Sequence, residues 1–242
     1  MTNEQILFPI FKQLYNKLQN NEIVIDANNS KTLEILSAKI EKLNPSQPYI
    51  DFKVKKSNKE YIEKELKWYS SQNRNINGYV DDITIWKKIA DNNGITNSNY
   101  GWCIFSEENF NQYDNCKNSL LKDKQTRQAV MIYNRPSMHN DYNENGRYDF
   151  ICTYTHQFFI RNNRLHSTYS MRSNDLIYGF FNDFAWASYV HIKMYNELKS
   201  IYTNLENGEL TWIANSLHIY ERHWGLLEKI YKENKDEYDV LA

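Results

Sequence analysis

The spacing of the apolar residues changes character along this chain, and that change limits the fold more than any other feature. Ile6, Ile10, Phe11, Leu14 and Leu18 recur at helical intervals and predict an amphipathic helix near residues 3–19. Ile23-Val24-Ile25 and Leu33-Glu34-Ile35-Leu36 read as strands around a polar Asn28-Asn29-Ser30 turn. Helical spacing returns over 59–70 (Tyr61, Ile62, Leu66, Tyr69), 83–91 (Trp86, Ile89) and 107–121. Ala129 to Tyr133, Phe150 to Ile160 and Leu165 to Met171 are instead rich in β-branched and aromatic residues and predict strands. A buried helix over 184–200, a strand over 210–219 and a helix over 224–235 complete the pattern. The irregular alternation argues against a doubly wound repeat and for an α+β fold, with a mostly strand-built middle covered by helices.

No break divides this pattern. The 242 residues contain 4 Pro and 7 Gly, well below ordinary usage of roughly 5% and 7%, and no linker-like stretch, so 1–242 is expected to be a single domain. The N-terminal residues lack a basic stretch leading into a long apolar one, and nowhere do roughly 18 apolar residues run together, so a soluble cytoplasmic protein is expected. Cys103, Cys116 and Cys152 are too few and too scattered for a disulfide framework or a paired zinc motif. A net charge of −1 argues against a protein that neutralises the phosphates of long nucleic acid, while leaving room for a small anionic substrate.

Several residues carry potential chemistry. Cys152 lies in Phe150-Ile151-Cys152-Thr153-Tyr154, expected on an apolar strand, with Arg172 at the end of the next; an arginine beside a thiol raises its thiolate fraction. Most lone cysteines are inert, so the pattern leaves a packed thiol and a nucleophile both open. His218, sharing a strand face with Tyr220, is a satisfied half-buried histidine, a hydroxyl-binding partner, or half of a dyad with Cys152. Glu65 sits on a helix with Lys64 and Lys67, where most glutamates are solvated, but Leu66, Trp68 and Tyr69 offer it cover. Asp141-Tyr142-Asn143-Glu144-Asn145-Gly146 matches the first half of a calcium loop, yet the twelfth position is Cys152 rather than glutamate, so a polar turn and no metal is expected.

Taken together, Arg172-Ser173-Asn174-Asp175, Gly179-Phe180-Phe181-Asn182-Asp183-Phe184-Ala185, Ser188-Tyr189, His218-Ile219-Tyr220, Cys152 and Glu65-Leu66-Lys67-Trp68 resemble the thymidylate synthase superfamily. Asn97-Ser98-Asn99-Tyr100-Gly101-Trp102 and Met131-Ile132-Tyr133-Asn134-Arg135-Pro136-Ser137-Met138 are similar to its phage deoxycytidylate hydroxymethylase branch. The resemblance runs from Glu22 to the end. It implies a thymidylate synthase-like fold with a central, mostly antiparallel sheet through which two copies dimerise. The reactants it implies are dCMP and 5,10-methylenetetrahydrofolate, with a C5-methylating enzyme or a catalytically silent nucleotide-binding homologue as the alternatives.

The resemblance also assigns roles. Cys152 is the nucleophile that adds to C6 of the pyrimidine, Glu65 handles water and protons near the one-carbon unit, and Asp183 reads the base. The synthases have asparagine at that last position, able to donate to O4 of uracil; an ionised carboxylate only accepts, which suits the amino group of cytosine. Asn182 lies beside it. Arg172 and Ser173 resemble phosphate ligands, and Arg127 an arginine given across the dimer to the neighbouring site. His218 and Tyr220 resemble the pair that holds the 3′-hydroxyl, Tyr100 a tyrosine near the reacting carbons, and Asp175 and Trp86 folate contacts. There are departures: Gln128 replaces a second arginine, the early loop Asp26-Ala27-Asn28-Asn29-Ser30-Lys31 offers only Lys31 as a basic residue, and Thr153 replaces a histidine.

Overall fold

The computed structural model describes residues 1–26 and 29–238. In chain order the elements of the first half are α1 (Asn3–Gln19), β1 (Val24–Ile25), β2 (Lys31–Leu43), β3 (Asp51–Phe52), β4 (Lys55–Lys56), α2 (Lys59–Ser70), α3 (Thr84–Ile89), α4 (Tyr100–Phe105) and α5 (Gln112–Lys122). The second half holds β5 (Val130–Ile132), α6 (Met138–Asp141), β6 (Thr153–Arg161), β7 (Arg164–Met171), β8 (Asn174–Asp175), α7 (Gly179–Lys199), β9 (Glu206–Tyr220) and α8 (Trp224–Tyr238). The fold is α+β, as expected. Backbone contacts group these elements into two compact units, one built from residues 1–58, 171–193 and the chain from Gly208 onward, the other from residues 59–170 and 194–207.

In the first unit β2 runs antiparallel to β9, from Thr32 opposite Tyr220 to Leu43 opposite Leu210, with β1 on the other side of β2. Buried Leu210, Trp212 and Ala214 alternate along β9, placing its apolar side chains on one face. The short β8 joins β9 in parallel, Asn174 opposite Leu217 and Asp175 opposite His218, which brings two of the sequence motifs side by side. Helix α1 begins in a capping box: Thr2 Oγ1 accepts from the Gln5 amide and Gln5 Oε1 accepts from the Thr2 amide. Its Tyr15 stacks on Tyr231 of α8 with centroids 4.1 Å apart.

The second unit holds β5, β6 and β7, with β5 antiparallel to β6. An aromatic cluster joins its helices: Trp68 meets Trp86 edge-on at 4.7 Å, and Tyr69 stacks on Tyr100 at 5.3 Å. Helix α4 can lie this close to α2 because position 101 is glycine; a Cβ there would stand 1.8 Å from the Tyr69 carbonyl oxygen.

Four expectations need correcting. The helix expected over 107–121 is broken at Phe110 and Asn111, both with left-handed φ (63° and 39°), and restarts at Gln112 under an Asn111 cap. The strand expected over 33–36 extends to Leu43, with left-handed Ser37 and Lys42 and a register shift between Ile40 and Leu43 hiding the alternation. The helix expected from residue 184 starts at Gly179, so Asn182 closes its first turn and Asp183 follows directly. Pairing of β6 begins only at Thr153, which leaves Cys152 in the loop just ahead of the strand rather than on it.

Candidate active site

Cys152, Glu65, Trp86, Tyr100 and Arg127 belong to the second unit. The sequence Tyr61-x-x-x-Glu65 places both side chains on one face of α2, and the Tyr61 hydroxyl donates to Glu65 Oε1 at 2.6 Å. Trp86 Nε1, from α3, donates to the same oxygen at 3.0 Å. Glu65 is buried, and loss of solvent pushes its carboxyl up to about 7 against the opposing pull of these two hydrogen bonds. Such a group is populated in both forms at neutral pH, which is what a proton shuttle requires. Trp86 thus has a contact that the sequence reading did not assign to it. Cys152 is half-buried, with Sγ 4.0 Å from the Phe150 carbonyl oxygen. Tyr100 opens α4 from an Asn99 cap, is almost wholly buried, and packs against Tyr69 and Tyr133. Arg127 is exposed before β5, its carbonyl accepting from Gln157 Nε2 at 2.9 Å, and Gln128 is exposed beside it.

Two loops of this unit are fastened together by a buried carboxylate. Asp149, three residues before Cys152, accepts from the Asn97 amide (2.6 Å), the Ser98 amide (2.7 Å) and the Ser98 hydroxyl, just ahead of Tyr100. Asn97 Nδ2 returns a bond to the Asp149 carbonyl at 2.9 Å, while Asn97 Oδ1 accepts from Arg74, Arg135 and Arg147. Arg135 pairs with Asp141 at 3.0 Å and Arg147 with Asp91 at 3.2 Å. Two of the three guanidinium groups are paired with carboxylates, all three donate to Asn97 Oδ1, and the Asp149 carboxyl, pushed up by burial, is held by amides and a hydroxyl, so the cluster acts as scaffolding. The calcium-like segment belongs to it: Asp141 Oδ2 is held by Arg135 and by the Ser137 hydroxyl at 2.8 Å. Thr153, the departure next to the thiol, shares a hydrogen bond with the Tyr169 hydroxyl at 3.0 Å.

Arg172, Ser173, Asp175, Asn182, Asp183, His218 and Tyr220 belong to the first unit. Arg172 and Ser173 are half-buried between β7 and β8, and the Arg172 carbonyl accepts from the Ser216 amide at 3.1 Å. Asn174 Nδ2 donates to Asp183 Oδ2 at 2.9 Å, and Gly179 leaves room for that pair, since a Cβ there would lie 3.2 Å from Asn174 Nδ2. Asn182 occupies the same helical turn, half-buried. His218 and Tyr220 share a face as their spacing predicts, ring centroids 4.9 Å apart. Burial holds the His218 ring below the usual histidine range, opposed chiefly by the charge of Asp175. Asp175 also faces Lys55, whose ammonium lies 4.4 Å from the Phe181 ring centre and is pushed below the usual lysine range by burial. Lys31 is paired with Glu221 at 3.0 Å on the surface, and Ala27 and Asn28 of the early loop lie outside the described residues.

Tyr61, Asn174, Ser216 and Glu34 escaped the sequence reading as site residues. Only Tyr61 carried a usable local signal, its four-residue spacing from Glu65. Among the described residues no group of three or more His, Cys, Asp or Glu is placed to hold a metal ion, and no helix is long and apolar enough to cross a membrane.

Comparison with known proteins adds the relationship. Residues 11–241 match the family model for thymidylate synthase. The deoxycytidylate 5-hydroxymethyltransferases of Enterobacteria phages T4 and T6 are each 39% identical over 222 residues, 89% of this chain and 86% of the relative. The thymidylate synthase of Wigglesworthia glossinidia brevipalpis is 26% identical over 217 residues, 85% of this chain and 76% of that enzyme.

Proposed function

Because this chain belongs to the thymidylate synthase family, we propose that it is a folate-dependent one-carbon transferase that makes 5-hydroxymethyl-dCMP and tetrahydrofolate from dCMP, 5,10-methylenetetrahydrofolate and water. The Cys152 thiolate adds to C6, and C5 becomes an enamine-like carbon that takes the methylene group from folate. The C5 proton passes to a base and the folate nitrogen departs, leaving an exocyclic methylene on the ring. Hydroxide, delivered from water under the control of Glu65, adds to that carbon, and the thiolate is expelled as the C5–C6 double bond returns. Arg172 and Ser173 hold the phosphate, His218 and Tyr220 the 3′-hydroxyl, Tyr100 the neighbourhood of the reacting carbons, and Asp175 and Trp86 the folate. Asn182 supports Asp183 at the base.

The observation that carries the choice of base is Asp183, a carboxylate with one oxygen fixed by the Asn174 amide. Ionised, it accepts from the cytosine amino group and offers no donor to O4 of uracil, a mismatch worth roughly 1–3 kcal/mol. Asp183→Asn is therefore expected to shift the ratio of kcat/KM for dCMP over dUMP toward dUMP by at least about fivefold. Unchanged selectivity in steady-state assays of the two nucleotides would remove Asp183 as the base reader.

The product itself tests the reaction. Mass spectrometry of dCMP incubated with the protein and methylenetetrahydrofolate should show a gain of CH2O together with tetrahydrofolate. A gain of CH2 with dihydrofolate would make the protein a methylase, and no turnover would make it a silent homologue. The exposure of Arg127 supports its contribution to the neighbouring site of a homodimer. The unbroken family match from residue 11 to 241 supports reading residues 1–242 as one domain, working in the cytoplasm where nucleotides and folates are found.

A further inference from the structure

The register of β2 against β9 sets Glu34 opposite His218 and Leu36 opposite Ser216, so that three polar side chains form a short chain beside the Tyr220 ring. Ser216 Oγ lies 2.5 Å from Glu34 Oε1 and 3.4 Å from His218 Nδ1. An ionised carboxylate can only accept, and a serine hydroxyl has one proton to give. That proton is committed to Glu34. What Ser216 turns toward the imidazole is a lone pair, and a bond there requires the proton to be on Nδ1.

We infer that Glu34 and Ser216 are positioning residues that fix His218 as its Nδ1–H tautomer, leaving Nε2 as the ring's hydrogen-bond acceptor. The carboxylates facing the ring are Asp175, Glu34 and Asp26, and burial outweighs their pull toward the charged form. A neutral ring with a bare Nε2 recognises a group that donates. On the proposed function above, that group is the sugar 3′-hydroxyl, and a nucleotide lacking the hydroxyl leaves Nε2 unsatisfied in a buried place. The carboxylate thus acts at one remove, through a hydroxyl, on which sugars the ring accepts.

The tautomer is read directly by long-range proton–nitrogen spectra of the 15N-labelled protein without nucleotide, at a pH near 7.5, with His218→Asn identifying the signals. Wild type should show the Nδ1–H pattern, and Ser216→Ala should move His218 toward the Nε2–H form while Ser216→Thr, which keeps a hydroxyl, restores it. An Nε2–H pattern in the wild type, or no change in Ser216→Ala, overturns the relay whatever reaction the protein performs. Calorimetry then compares dCMP with its 2′,3′-dideoxy analogue. The preference for dCMP should fall about tenfold in Ser216→Ala, as expected for one lost hydrogen bond. A preference that is the same in both proteins overturns the sugar reading. Failure of dCMP to bind wild type at all would count against the proposed function, while the spectra still decide the tautomer.

Discussion

Cys152→Ser should release no measurable C5 hydrogen from labelled dCMP in the presence of methylenetetrahydrofolate, a loss on the order of 10⁴ or more. A serine hydroxyl at neutral pH is almost wholly protonated and is the weaker nucleophile, so addition at C6, on which every later step depends, does not occur. The other two thiols do not substitute. Cys103 and Cys116 are buried, and burial pushes each up to about 12, so neither supplies thiolate at working pH. Half-buried Cys152 is therefore also the thiol expected to take up an alkylating reagent first, and dCMP should slow that reaction in wild type. Retention of C5 exchange in Cys152→Ser would remove the sulfur from the mechanism. The size of the protein in solution and its far-ultraviolet spectrum, compared with wild type, serve as controls, since the substitution replaces one atom in a loop ahead of β6.

How much of this was legible in the sequence depended on how local the governing interaction was. Helix α1 was readable because its apolar stripe lies within the segment itself. The His218–Tyr220 face followed from strand alternation alone. Position 152 was misplaced by one residue because Phe150-Ile151-Cys152 has the composition of a strand; the loop is held instead by Asp149 on the amides of Asn97 and Ser98, some fifty residues away. The break at Phe110 and Asn111 was hidden because the apolar spacing continues across it. Glu34 reaches Ser216 across a separation of 182 residues, which no local pattern reveals. The roles of Arg172, Asp175 and Asp183 rested on their motifs, whose order along the chain is specific even though no single one of them is.

Glu65→Gln should cost about 10²- to 10⁴-fold in turnover, the usual range for a lost general acid/base, with little change in nucleotide affinity. The pH profile distinguishes this from a packing defect. With its carboxyl raised to about 7, wild type should show an inflection of kcat near that pH, and the glutamine variant, which cannot titrate, should lack it. Stability should respond in the opposite direction. The folded-state value lies above the 4.5 of the free side chain, so the folded form holds its proton where the unfolded chain has lost it. The resulting stabilisation is fully present below pH 4.5 and disappears as the pH rises through about 7, an amount on the order of 3 kcal/mol at about 1.4 kcal/mol per pH unit. Above pH 7 the folded protein holds a buried charge supported by the Tyr61 hydroxyl and the Trp86 indole. Glu65→Gln keeps an oxygen for these two donors and carries no charge, so it should unfold at a higher temperature than wild type at pH 8 and at about the same temperature at pH 5. A variant less stable at both pH values would make Glu65 a structural group. Greater stability coupled to lost turnover is the pattern of a carboxylate kept under cover for chemistry.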